Sequence, residues 1–151
     1  MNLIVSAPFR GHSQSSTWGS FMAKYVLIVD DNEAIRRTLR YLFKENPEWT
    51  ICGEATNGRD ALEKAHELQP DLVILDFSMP VMNGLETATM LKKTSPRLPI
   101  VMLTAFKDRF LEQQAFNAGV SWVLSKTEDV STVVDFARIL LSASSQPLPR
   151  A

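Results

Sequence analysis

Five short apolar runs punctuate the chain, at residues 25–29, 50–53, 72–75, 100–103 and 122–124. β-Branched residues are frequent in them, which predicts strands buried on both faces rather than half-exposed ones. Between and after them, apolar residues recur at helical spacing. Ile35, Leu39 and Leu42 share a face, with Arg36, Arg37 and Arg40 pointing elsewhere. A second helix begins near Asn57, a good N-cap, turns Leu62, Ala65 and Leu68 inward, and closes at Pro70. A third runs from Asn83 or Gly84 to about Lys93, with Leu85, Ala88 and Leu91 inward and Pro96 as its stop. A fourth starts near Asp108 and ends at Gly119, a residue suited to the position after a helix C-terminus. A fifth starts near Asp129 and places Val130, Val133, Val134, Ala137 and Leu141 on or near one stripe.

A strand–helix pair repeated five times implies an α/β fold: a parallel sheet with helices on both faces and right-handed crossovers. Sites in such sheets form at the carboxyl ends of the strands. Here the first run ends in Asp30 and Asp31, the third in Asp76 and the fourth in Thr104, and Lys126 follows the fifth. Any one of these can be a helix cap, and Asp31 or Asn32 is placed to cap the first helix. Polar or charged groups at four of five strand ends are harder to explain as capping. Two like charges 4 Å apart repel by about 4 kcal/mol at an effective dielectric near 20. Three clustered carboxylates therefore raise one another's pKa or recruit a cation. Lys126 supplies one positive charge, and a hard divalent ion with oxygen ligands supplies two more. The balance suits Mg²⁺ and an incoming phosphoryl group.

Composition narrows the classes. The chain has 151 residues, 45% hydrophobic and 22% charged, enough for one domain with a sizeable core and against wholesale disorder. Its formal net charge of -1 argues against direct nucleic-acid binding through a basic surface. The single cysteine, Cys52, forms no internal disulfide, sits inside a strand pattern as a small core residue, and fits a reducing, cytoplasmic home. No apolar run approaches the ~18–20 residues that span a bilayer, so membrane insertion is not expected. Residues 1–23 read as a flexible N-terminal extension, polar and Ser-rich over 10–20. Met22 as the natural start, with residues 1–21 lying upstream, and a genuine flexible arm are both open. Residues 142–151 read as a short C-terminal tail, too short for a further (output) domain, so action on other molecules is expected to go through direct contact. His12 lies in the leader, and His66 falls among charged residues of the second helix and reads as solvent-facing.

The segments VLIVDD, LVILDFSMPVMNG, VMLTA and AGVSWVLSK, in that order, resemble the receiver domain of two-component response regulators. The spacings are 45 residues from Asp31 to Asp76, 28 from Asp76 to Thr104 and 22 from Thr104 to Lys126. The resemblance covers residues 24–141. It implies a (βα)5 flavodoxin-like doubly wound sheet of strand order 2-1-3-4-5. It makes Asp76 the phosphoacceptor for a histidine kinase or histidine phosphotransfer protein. Asp31 becomes the direct Mg²⁺ (or Mn²⁺) ligand, Asp30 its water-mediated neighbour, and the backbone carbonyl of Ser78 a further ligand. Lys126 pairs with the carboxylate and then the phosphoryl oxygens, and the Thr104 hydroxyl moves to the phosphoryl group. That movement biases the face of the fourth helix, fifth strand and fifth helix, which binds an unknown downstream protein and is a common homodimer surface in the family.

The pattern departs from the family in places. The aromatic often found three residues before the lysine is Val123, and the neighbouring Trp122 is out of phase by one, which makes it a packing residue. The proline that usually follows the lysine is Thr127, so a trans peptide is expected. Ser78 and Phe106 occupy the positions that tune dephosphorylation; Phe106 either shields the acyl phosphate or contacts a partner. The basic stripe of Arg36, Arg37 and Arg40 is either a solvated face or a kinase-docking surface. Two rival functions remain: a phosphorylation-independent interaction domain, and a haloacid-dehalogenase-type phosphatase. The second needs an aspartate two residues after the nucleophile, where Ser78 stands, and no glycine-rich phosphate loop points to a nucleotide hydrolase.

Overall fold

The computed structural model describes residues 23–128 and 130–144. Its strands are β1 (Lys24–Val29), β2 (Trp49–Ala55), β3 (Leu72–Asp76), β4 (Ile100–Thr104) and β5 (Trp122–Ser125). Its helices are α1 (Glu33–Lys44), α2 (Gly58–Leu68), α3 (Gly84–Thr94), α4 (Arg109–Asn117) and α5 (Val133–Ser144). All strand pairs are parallel, in the order β2-β1-β3-β4-β5. The chain thus has the flavodoxin-like (βα)5 fold.

Alternation along the central strands builds two cores. Leu27, Val29, Val73, Leu75, Ile100, Met102 and Val123 face α2, α3 and α4, through Ala61, Ala65, Ala88, Leu91 and Ala115. The intervening Val26, Ile28, Leu72, Ile74, Val101, Leu103 and Leu124 face α1 and α5, through Leu39, Phe43, Val133, Val134, Ala137 and Leu141. β1, β3 and β4 are covered on both sides and read as unbroken apolar text. β2 departs from that expectation. As an edge strand it buries only Trp49 and Ala55 fully, and Thr50 is exposed. Cys52 is correspondingly half-buried rather than a sealed core residue.

The caps explain where the helices start. Asn32 accepts the amides of Ala34 and Ile35 and so caps α1, which frees Asp31 from that task. Asn57, Asn83 and Asp108 cap α2, α3 and α4, with a reciprocal Asn83–Glu86 capping box on α3. Gly119 takes φ +94 just past α4, a conformation that costs glycine little. α5 begins at Val133 after a 3-10 turn over Val130–Thr132, later than the pattern alone indicates, and Asp129 lies outside the described residues. Residues 1–22 and the last seven residues also lie outside them.

Gly84 links the fold to the site. A Cβ built on it would lie 2.4 Å from the backbone oxygen of Asp76, so α3 reaches the end of β3 only because no side chain intervenes. Gly84→Ala is expected to destabilise the protein by about 1–3 kcal/mol, as overpacking against backbone does. Urea denaturation checks this, and unchanged stability would show that the loop after β3 yields freely.

Candidate functional site

The parallel register sets the site. Val29 pairs with Leu75, so the next residues, Asp30 and Asp76, leave adjacent strands at one level. Asp76 pairs with Leu103 across to β4, and Thr104 with Ser125 across to β5. The amide of Lys126 donates to the carbonyl of Thr104 at 2.8 Å, which returns the chain to the same edge. A cleft of about 430 Å³ opens there, lined by residues that include Asp31, Asp76, Ser78, Thr104, Phe106 and Lys126.

Asp30 is fully buried and Asp76 nearly so, while Asp31 is exposed. One carboxylate oxygen from each lies within 4.8 Å of the others. Lys126 Nζ sits 2.8 Å from Asp30 Oδ2 and 2.9 Å from Asp76 Oδ1. Asp30 Oδ1 accepts the amide of Asn32 at 2.9 Å, and Asp76 Oδ1 accepts that of Ser78 at 3.2 Å. Asp30 Oδ2 is sealed from water, and among the described residues the Lys126 ammonium is its one close partner. Asp76 Oδ2 takes no hydrogen bond among the described residues, and the Asp31 carboxylate makes no hydrogen bond or ion pair there.

One ammonium therefore opposes three carboxyl groups. The donors are all hard oxygens, and the Lys126 ammonium is the only cation paired with them among the described residues, a set that could hold a divalent cation. Burial dominates the chemistry of Asp76. It pushes the carboxyl pKa up to about 6 from 3.8, against the hydrogen bond from Lys126, and the charge on Asp30 adds to the rise. Burial also works against the charge on Lys126, but its ion pairs with Asp30 and Asp76 outweigh it and hold the pKa above the ordinary lysine value.

The other residues singled out in the sequence divide. The Thr104 hydroxyl is buried and donates to the carbonyl of Phe106 while accepting that residue's amide, both at 3.2 Å. It is engaged with its own loop. Phe106 stands at the cleft's lip, 81% exposed. Val123 is buried in the core that faces α2, α3 and α4, whereas Trp122 stacks on Phe136 of α5 at 5.0 Å on the opposite face and stays 41% exposed. Trp122 thus packs, but at the surface. No cis peptide occurs among the described residues, Lys126–Thr127 included.

One expectation changes. His66 is exposed as expected, but the basic stripe on α1 is not a free surface. Arg36 and Arg40 both pair with Glu33 and with Glu54 of β2, which leaves Arg37 as the solvated member, 4.0 Å from Glu33. Glu54 lies just past the apolar run that ends at Gly53, so the pattern does not single it out. A lone charge continuing an apolar run, which needs a partner when half-buried, was the available signal.

Fold and site together define a flavodoxin-like α/β protein with an acidic cleft ready for a cation at the carboxyl edge of its sheet. A family profile for the response regulator receiver domain matches residues 26–138, and the chain belongs to that family, the receivers of two-component signal transduction. It is 38% identical over 117 residues to the response regulator protein VraR of Staphylococcus epidermidis, covering 78% of this chain and 56% of that protein. It is 38% identical over 109 residues to the transcriptional regulatory protein LnrK of Bacillus subtilis, covering 72% and 50%. The chain therefore spans about half the length of the curated relatives it matches. A solved DNA-binding response regulator of the LuxR family from Staphylococcus aureus superposes with a TM-score of 0.72 at 26% identity, covering 78% of this chain and 98% of that one. No helix among the described residues is long and apolar enough to cross a membrane.

Because folding favours protonated Asp76, its stabilising effect is complete below about pH 4 and is lost as pH rises through about 6. In chelator, Asp76→Asn should be more stable than wild type at pH 7.5 by on the order of 1–3 kcal/mol, a gap that closes towards pH 4. Paired urea titrations at the two pH values measure it, and a gap independent of pH would refute the assignment.

Proposed function

We propose that this receiver accepts a phosphoryl group on Asp76 from a histidine kinase or histidine phosphotransfer protein in the cytoplasm, with Mg²⁺ bound by Asp30, Asp31, Asp76 and the Ser78 carbonyl. The observation that supports it is Lys126 bridging two buried carboxylates beside a third, exposed one. With Oδ1 held by Lys126 and the Ser78 amide, Asp76 keeps Oδ2 for attack or for the cation. An Asp76 oxygen forms a bond to phosphorus as the phosphorus–nitrogen bond of the donor's phosphohistidine breaks, and the imidazole leaves with a proton. Mg²⁺, when bound, neutralises charge developing on the phosphoryl oxygens. Lys126, already paired with Asp76, would supply a second positive charge to those oxygens. In autodephosphorylation water attacks the phosphorus, the bond to the Asp76 oxygen breaks, and inorganic phosphate leaves as the carboxylate is restored.

The Thr104 hydroxyl then exchanges its bond to the Phe106 carbonyl for one to a phosphoryl oxygen, which loosens the loop leading into α4. Since Lys126 is anchored by its amide to the Thr104 carbonyl, the movement reaches the end of β5 as well. With Val123 in place of an aromatic, the signal passes to the α4–β5–α5 face through this loop. That face meets the downstream partner, a second copy included. The relatives' descriptions as transcriptional and DNA-binding regulators favour gene control as the output, with this unit as its switch. The near-zero net charge argues against the unit itself gripping DNA.

Incubation with Mg²⁺ and acetyl phosphate should label one site per chain, and chelator or Asp76→Asn should abolish the label. Multiple turnover on phosphate esters would instead support a phosphatase, and absence of label a phosphorylation-independent interaction domain. Phe106→Ala should shorten the lifetime of the label if the ring shields it from water. An unchanged lifetime assigns Phe106 to partner contact.

A further inference from the structure

We propose that Arg36 is a positioning residue for the divalent-cation site, fixing the peptide plane that joins Asp30 to Asp31. The inference rests on the phosphoacceptor reading above. β1 ends at Val29, so the carbonyl of Asp30 has left the sheet ladder. Its partner is Arg36 Nη1, at 2.8 Å. The amide of Asp30 donates to the carbonyl of Ala55 at 3.0 Å, so the backbone of this residue is held on both sides.

A peptide unit is planar. Fixing the Asp30 carbonyl therefore fixes the orientation of the Asp31 amide and the direction in which the Asp31 Cα leaves. That matters because the Asp31 carboxylate is exposed and held by no hydrogen bond or ion pair among the described residues. Backbone alone keeps it near Asp30 and Asp76. Arg36 can serve as the anchor because its guanidinium is itself fixed. Nε donates to Glu54 Oε1 at 3.0 Å, Nη2 pairs with Glu33, and the side chain is only 14% exposed. A rigid fork of donors satisfies three acceptors at once, which a lysine cannot reproduce.

Arg40 provides the control. It pairs with the same two acids, at 2.6 Å to Glu54 and 2.8 Å to Glu33, but makes no hydrogen bond to Asp30. Loss of ion pairs is common to both arginines; loss of the Asp30 anchor belongs to Arg36.

Mg²⁺ is titrated into the full chain while the amide resonances of Asp31 and Asn32 are followed. Arg36→Met should raise the dissociation constant about tenfold, the usual scale for a group that orients a metal ligand, and Arg40→Met should stay within about twofold of wild type. The half-saturating Mg²⁺ for labelling by acetyl phosphate should rise with Arg36→Met by the same factor, with the rate at saturating Mg²⁺ near that of wild type. Equal weakening by both substitutions, or wild-type affinity in folded Arg36→Met, overturns the proposal. If Arg36→Met does not fold, Arg36→Lys carries the test, because wild-type affinity there overturns it equally. Failure of the wild-type chain to bind Mg²⁺ overturns the phosphoacceptor reading and this inference together, a result distinct from wild-type binding that Arg36 does not influence.

Discussion

The ammonium of Lys126 between the carboxylates of Asp30 and Asp76 is the contact on which this edge of the molecule depends. Two carboxyl groups this close and this buried repel strongly and lose hydration. Without Lys126 the strand ends of β1 and β3 could not both carry acid at one level of a parallel sheet. With it, Asp76 remains a carboxyl group whose protonation is finely balanced, and Asp30 a charge with its side chain fixed at both oxygens.

The residues around this contact serve distinct tasks. Asn32 caps α1, which leaves Asp31 unengaged. Gly84 lets α3 begin against the backbone of Asp76. Thr104 is hydrogen-bonded to its own loop and not to the acidic cluster. Val81, in the loop between β3 and α3, sits at φ 73, a costly conformation for a β-branched residue. Local strain thus lies in the loop that carries Ser78, beside groups that are otherwise over-determined.

Much of this is legible in the sequence. The alternation of apolar runs with helical spacing fixes five strand–helix pairs, because burial on both faces of a parallel sheet leaves no polar positions inside its central strands. The cap at Asn57 and the helix starts near Asn83 and Asp108 are local chemistry and readable as such. So is the placement of Asp30, Asp31, Asp76, Thr104 and Lys126 at strand ends. The edges were less legible. β2 is longer and more exposed than its pattern, since an edge strand needs only one well-covered face. Trp122 looked like a packing residue and does pack, yet β5 at the other edge leaves its ring partly in water. The start of α5 was displaced because a 3-10 turn carries the same apolar stripe as a helix.

The sequence by itself determined the class of fold, the chemistry available at the sheet's carboxyl edge and the order in which it is delivered, because these follow from local periodicity and from which residue ends each strand. Tertiary structure alone decided the partnerships. Arg36 looks like a solvated helix residue until β2 comes to lie beside β1 and brings Glu54 to it. Lys126 reaches Asp30 across some 96 positions of sequence only because β3 and β4 intervene in the right order. Strand order and register are set by packing of all the helices at once, and no local pattern encodes a contact that exists only after the sheet is assembled.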